Sequence, residues 1–447
     1  MSDNTVANPL GRIASPSSIL KFALPSIITM VFMGLYTVVD VMFVAQFASS
    51  DAMASINIAC PAINLIVGFA AMLATGGNAI VASKMGEGRE GEARRDFTLI
   101  VLFGIAASLV VAVAGNMWLL PLSKALGASS ALLPHCMDYL AIILAFTPAS
   151  MLQVLFQNGV IAAGKPGIGT AMAVSCGVAN IVLDYLFLGV LDMGVSGAAW
   201  GTSAGYTIAA AIGLIFFLTR KSGLRFAAPS SDLRILLRSC SNGVSEMIGQ
   251  AAAAVTTFLF NLTMMSLAGE DGVAAITVLI YSQFMVSAVF FGFSMGCAPV
   301  LSYDHGAGDR ARLKRLFTSC LACIGVASVA SCLLAFLAAE PLAALFAPDG
   351  GPVLAMAAEG LALFSAAYLF AGTNIFTSAA FTAFGNGALS AIVAFLRTLG
   401  LVPLCLLLLP HILGLQGVWL AVPIAEGITF IVSVALLHAN KTRYGYL

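Results

Sequence analysis

The chain has 447 residues, 60% of them apolar and only 9% charged, with mean hydropathy +1.01 and zero net charge. Ordinary soluble domains carry about 25% charged residues, so this composition excludes a soluble globular protein. The charge balance and the absence of any basic tract also exclude nucleic acid as a natural partner.

The first 16 residues (MSDNTVANPLGRIASP) are polar and lack the basic start and apolar core of a cleaved signal peptide. Helix 1 is therefore expected to act as its own insertion signal. From there, apolar stretches long enough to cross about 30 Å of hydrocarbon as helix follow one another. Twelve spans are predicted. The first six, α1–α6, cover 17–46, 53–83, 95–118, 134–161, 168–190 and 195–219. The next six, α7–α12, cover 234–267, 273–303, 315–338, 353–383, 388–409 and 415–438.

The loops give the orientation. Of the 20 Lys and Arg, 18 fall on one side, at the N-terminal tail, the α2–α3, α4–α5, α6–α7 and α8–α9 connections and the C-terminal tail. Only Lys124 and Arg397 lie elsewhere. The opposite loops carry the acids Asp51, Asp192, Glu270, Asp271, Glu340 and Asp349. The basic side stays in the cytoplasm, so both termini are expected inside.

A spacing of 220 relates the halves. Gly306 and Gly308 fall on Gly86 and Gly88, Arg315 and Phe317 on Arg95 and Phe97, and Pro341-Leu342 on Pro121-Leu122. Gly414 and Gly417 fall on Gly194 and Gly197, so one spacing is expected to hold without a gap from about 51 to 200. The chain reads as one unit written twice. Six helices per unit make the repeats parallel, the arrangement of transporters whose substrate passes between halves. The expected organisation is a tail over 1–16, an N-lobe over 17–219, a linker over 220–233, a C-lobe over 234–438 and a tail over 439–447.

Each acid or base near the middle of a span costs about 2.5–3.5 kcal/mol and marks a functional candidate. Asp40, Asp184, Glu246, Arg397 and Glu426 qualify; Asp138 and Glu359 sit about one turn inside their helices. Asp40 and Asp184 each lie about six residues, or about 9 Å, from the outer ends of α1 and α5. Thr202 enters α6 to a similar depth, and Asn180 shares a helix face with Asp184. Such a group can share a proton, because burial and like charge both disfavour the ionised form. Its oxygens can equally ligate Na+, or simply lock helix packing. Arg397 with Glu426 reads either as a static ion pair or as a charge site, and Glu246 has no evident basic partner.

Other patterns carry no chemistry. Gly86-Glu-Gly-Arg-Glu-Gly91 matches a dinucleotide fingerprint but has no βαβ surroundings. Cys320 and Cys323, like the other seven cysteines, sit in apolar segments as small hydrophobes. The four His are dispersed, no hydrolase or metalloprotease motif occurs, and no cofactor or obligate protein partner is expected.

At these residues the chain resembles the multidrug and toxic compound extrusion (MATE) family. Leu24-Pro25 with Tyr36-Thr-Val-Val-Asp40 resembles its first helix, and Gln157-Asn158 to Gly164-Lys-Pro the end of its fourth. Asn180-Ile-Val-Leu-Asp184 and Gly194-Val-Ser-Gly-Ala-Ala-Trp200-Gly-Thr202 are the most specific stretch. The second half, with Gly292-Phe-Ser-Met-Gly296 and Pro423-Ile-Ala-Glu426, is most similar to the MepA-like bacterial branch.

The resemblance implies an all-α membrane protein whose twelve helices form a V-shaped pair of six-helix bundles. It implies export of lipophilic organic cations and drugs in exchange for H+ or Na+. Asp40, Asp184, Asn180 and Thr202 would form the ion site, and Tyr36, Gln157, Asn158, Tyr281 and Gln283 would line the substrate cleft. A second site, described in the family on α7 and α10, finds Glu246 but only Glu359 here. The alternatives are a flippase for a lipid-linked oligosaccharide, which wants a cationic cavity, and a channel or receptor, for which no pore ring or ligand domain is visible.

Overall fold

A computed structural model describes residues 9–13, 15–47, 50–346 and 351–446; Asp349 and the first eight residues lie outside it. The described residues contain no strand. Ten helices among them are long and apolar enough to cross a membrane. One, Arg234–Ala307, has 74 residues, breaks at Gly269 (φ 63°, ψ −148°) and supplies both α7 (234–268) and α8 (270–307). The bent pair Leu133–Ala145 and Thr147–Ala162 forms α4 and brings the spans to twelve. Its 50° bend falls where Pro148 cannot donate to the preceding turn.

The remaining spans are α1 Pro16–Phe47, α2 Ser50–Gly86, α3 Glu90–Met117, α6 Gly194–Thr219, α9 Arg310–Leu337 and α12 Leu415–Tyr444. α5 is Pro166–Asp184, continued by a π-helical turn Tyr185–Val190. α10 is Gly351–Phe364 and Tyr368–Ala383, and α11 is Gly387–Phe395 and Leu401–Leu413 around a π-helical turn Leu396–Gly400. α12 runs on through most of the segment expected to be a tail, because 439–444 continue the helix.

The duplication is visible in the backbone. α3 and α9 begin and end 220 residues apart, and so do the starts of two short helices, Leu119–Ala125 and Ala339–Phe346. Gly194 and Gly414 share φ +58°. The spacing is not gapless, however. The turns after α4 and α10 are set by Gly164 and Gly385, both at φ +75° and 221 apart. The extra residue enters with the 3-10 turn Ser365–Ala367, where α4 has only a bend.

The lobes meet through glycines near the basic loops. Gly76 of α2 packs against Gly243 of α7, and Gly296 of α8 packs against Ala23 of α1. Gly86 packs against Tyr303, and Gly306 against Ser83. Adding 220 to one member and subtracting it from the other turns each pair into its mate, as a twofold axis demands. Small residues let these backbones approach; a Cβ on Gly296 would lie 2.8 Å from the Ala23 Cα.

One apolar core spans both lobes at this end, joining Leu10, Ala82 and Phe156 to Ile235, Phe293 and Phe317. Toward the acidic loops it gives way to two separate cores. Val44, Tyr139, Leu140 and Val195 belong to the N-lobe core, and Phe260, Ile276, Tyr368 and Trp419 to the C-lobe core. The V is thus joined at the basic-loop end and divided at the acidic-loop end.

Candidate functional site

α1, α5 and α6 bring the four predicted N-lobe residues together. The carboxyls of Asp40 and Asp184 approach within direct interaction range, with Asn180 beside Asp184. Asn180 Nδ2 donates to Thr202 Oγ1 at 3.3 Å. Asn180 and Asp184 are fully buried. Space for Asp184 comes from Gly201, because a Cβ there would fall inside the carboxylate. The π-helical turn opens directly after Asp184, where the wider coil releases backbone from the regular ladder.

Four oxygens here have no protein donor among the described residues: both oxygens of Asp184, Oδ1 of Asp40 and Oδ1 of Asn180. Buried acceptors converging without donors disfavour two ionised carboxylates and favour either a shared proton or a hard cation ligated by oxygen. The acceptors that the site offers, the carboxylates of Asp40 and Asp184, the amide oxygen of Asn180 and the hydroxyl of Thr202, are all oxygens. Tyr36, one turn from Asp40, sits within electrostatic reach of both acids, as does Tyr139. Tyr206 adds a third ring near Asp40. Of these only Tyr36 was singled out by sequence. Tyr139 and Tyr206 are ordinary aromatic residues of apolar helices and carry no separate signal.

The predicted cleft residues scatter. Gln157 is buried, lies against Gly169 at the start of α5 and accepts from Gln153 Nε2 at 3.5 Å. Asn158 Nδ2 donates to the Val154 carbonyl of its own helix at 3.0 Å. Neither belongs to the Asp40 group. Tyr281 and Gln283 are half-buried on α8, just before Phe284 and Met285, which pack against Gly34 of α1.

In the C-lobe, Arg397 and Glu426 meet and Glu246 stands apart. Arg397 Nε donates to Glu426 Oε1 at 2.7 Å, and its guanidinium lies 5.7 Å from the Phe291 ring centroid. Asn374 Nδ2 donates to Glu426 Oε2 at 2.7 Å and to its carbonyl at 2.9 Å, while Ser433 donates to Asn374 Oδ1 at 2.9 Å. Unlike the N-lobe acids, Glu426 has a donor on each carboxylate oxygen. Asn374 takes the middle of α10, while Glu359 accepts from Gln416 at 3.2 Å nearer the acidic loops. Half-buried Glu246 has no hydrogen-bond or ion-pair partner among the described residues. Sequence reasoning missed Asn374 and Ser433, because a lone amide or hydroxyl in a span is too common to mark a site.

The sequence profile of the MatE family matches residues 25–186 and again 247–407, one match per lobe. The multidrug export protein MepA of Staphylococcus aureus (strain N315) is 22% identical over 431 residues, covering 95% of this chain and 94% of that protein. The MepA protein of Staphylococcus saprophyticus is 20% identical over 428 residues, with the same coverage. Among solved structures, the outward-facing conformation of a multidrug resistance MATE family transporter of the MOP superfamily superposes with a TM-score of 0.92, at 20% identity and full coverage of both chains. A MOP superfamily transporter from Pyrococcus furiosus, described by the reverse polarity of its binding pocket, superposes at 0.88 with 19% identity and 99% coverage of each chain. With its family profile matched once in each lobe, the chain belongs to the MatE family of multi-pass membrane transporters.

Proposed function

We propose that this protein exports lipophilic, often cationic organic compounds in exchange for H+ or Na+. The N-lobe group of Asp40, Asp184, Asn180 and Thr202 takes the coupling ion. The observation that carries this reading is the set of four buried acceptor oxygens that find no donor among the described residues, at the place where two carboxylates face each other. The basic loops mark the cytoplasmic side of a bacterial plasma membrane. The lobes, joined at that end, then give access from outside. Ion binding needs only to differ in affinity between the two access states to drive exchange. A monovalent cation entering gains about 2.3 kcal/mol per 100 mV. In the C-lobe, Arg397 is neutralised by Glu426, which speaks against a cationic cavity for a lipid pyrophosphate. The name of the Staphylococcus relatives, multidrug export protein, supports the same substrate class.

The test is efflux of a fluorescent organic cation from cells held with a pH gradient alone or a Na+ gradient alone. One of the two gradients should drive efflux, and Asp40→Asn and Asp184→Asn should each abolish that drive in a folded protein. Full efflux in both variants would remove the site; no response of the wild type to either gradient would remove the coupling.

A further inference from the structure

Two short segments cross beneath the joined end of the lobes, and the 220-residue spacing relates them. Residues 9–13 lead into α1 of the N-lobe but lie on the C-lobe, where Gly11 faces the Tyr303 ring. Residues 229–232 lead into α7 of the C-lobe but lie on the N-lobe, where Ser230 N donates to the Arg95 carbonyl at 3.1 Å. Pro9 and Pro229 are 220 apart.

Each segment rests on a corner held by an ion pair. On the N-lobe corner Lys84 Nζ is 3.2 Å from Glu92 Oε2 and 2.6 Å from Asp96 Oδ2. On the C-lobe corner Arg312 Nε is 3.1 Å from Asp304 Oδ2. Lys84 and Asp304 are 220 apart, and so are Glu92 and Arg312. The pair is thus repeated with its sign reversed.

The reversal gives the two corners different tasks. Beside the lysine corner the linker leaves a polar cavity of about 200 Å³, walled by Lys84, Glu92, Asp96 and residues 229–232. On the other corner, the fork of Arg312 reaches past Asp304 to three carbonyls of the crossing segment. Nη1 donates to Gly11 at 2.6 Å, and Nη2 to Leu10 at 2.9 Å and Ile13 at 3.0 Å. A planar, permanently charged fork suits such convergent acceptors; a lysine does not. Pro9 meanwhile packs over Gly164 in the α4–α5 turn of the N-lobe. Leu10 and Ile13 plug the core that the lobes share. The linker is covalently continuous with both lobes, whereas residues 9–13 are held on the C-lobe through the three Arg312 bonds and the Tyr303 contact.

We propose that residues 9–13 form a releasable latch that holds the two lobes together at the basic-loop end, with Arg312 as its clamp. When that end opens, the three Arg312 bonds break while Pro9 stays with the N-lobe. The role of the latch in a transport cycle rests on the alternating-access reading above; the latch itself is tested without transport.

The experiment is hydrogen–deuterium exchange of the full chain, read by mass spectrometry, on the wild type and two variants. Arg312→Lys keeps the charge and the Asp304 pair but loses the fork. Asp304→Lys with Arg312→Glu reproduces the sign of the N-lobe pair but leaves residue 312 without donors. Both should raise exchange at least tenfold in peptides covering 9–20 and in the seam peptides 76–86 and 239–250. Peptides across the ion site, 176–205, should be unchanged. Faster exchange of 9–20 with an unaltered seam would show a passenger, not a latch, and overturn the proposal. No change in either region would overturn it too. If the double variant does not assemble, Arg312→Lys decides alone. Loss of gradient-driven efflux beside a normal latch response would count against the proposed function and leave the latch standing.

Discussion

Replacing Gly201 with Ala tests whether the shape of the ion site, and not only its charges, matters. α6 turns Gly197, Gly201 and Gly205 toward α5, and a Cβ on Gly205 would already lie 2.9 Å from the Cys176 carbonyl. At Gly201 the new methyl overlaps Asp184 Oδ1 and comes within 3.1 Å of its Cγ. To restore ordinary contact near 3.5 Å the oxygen must retreat by roughly 1.5 Å. Asp184 is fully buried and cannot turn to water, so the carboxylate swings against Asp40 or α6 parts from α5. Overpacking of this kind costs about 1–3 kcal/mol. Carried by the ion-bound state, that is roughly a 5- to 150-fold loss of ion affinity. Efflux from proteoliposomes, titrated with the coupling ion, reads the shift in half-saturation, and thermal unfolding reads the stability. Gly325→Ala, where a Cβ meets open space inside α9, is the control; it should leave the half-saturation unchanged and, if anything, raise the thermal midpoint slightly. If Gly201→Ala matched the wild type in both assays, the packing account of Asp184 would be wrong.

Arg397→Gln alone leaves Glu426 charged and buried and should destabilise by about 3–5 kcal/mol, whereas adding Glu426→Gln should recover much of that; additive losses in a double-mutant cycle of unfolding free energies would refute the pairing. Gly414 adopts φ 58° and ψ −134°, so Gly414→Ala should cost about 1–3 kcal/mol, seen as a lowered thermal midpoint; an unchanged midpoint would contradict the strained turn.

What the sequence revealed depended on how unusual each residue is for its surroundings. Asp40 and Asp184 stand out because an ionisable group in hydrocarbon is costly and therefore rare. The turn glycines stand out because they recur at a fixed spacing and the turns need them. Asn374, which gives Glu426 two hydrogen bonds, is invisible by either test. Its α10 segment holds several hydroxyls besides, and only the fold decides which polar side chain faces an acid. Gly201 was closer to legible. Gly197, Gly201 and Gly205 follow a small-x-x-x-small rhythm that predicts close helix packing, though not that the neighbour is a carboxylate. The one-residue slip between Gly164 and Gly385 escaped because the matches flanking it, at Pro121-Leu122 and Gly194, both fit 220.

The reversed ion pairs have a consequence for assembly. Two halves copied from one template could in principle dock in either partnership, each lobe with the other or each with its own kind from a second chain. Arg312 offers donors to backbone carbonyls, and the matching Glu92 offers none. A second N-lobe in place of the C-lobe would meet the crossing segment of residues 9–13 with a carboxylate set against its carbonyl oxygens. The exchange of signs at 84 and 92 against 304 and 312 thus gives each corner its own address, and it steers the duplicated halves toward one heterotypic pairing over a swapped or symmetric one.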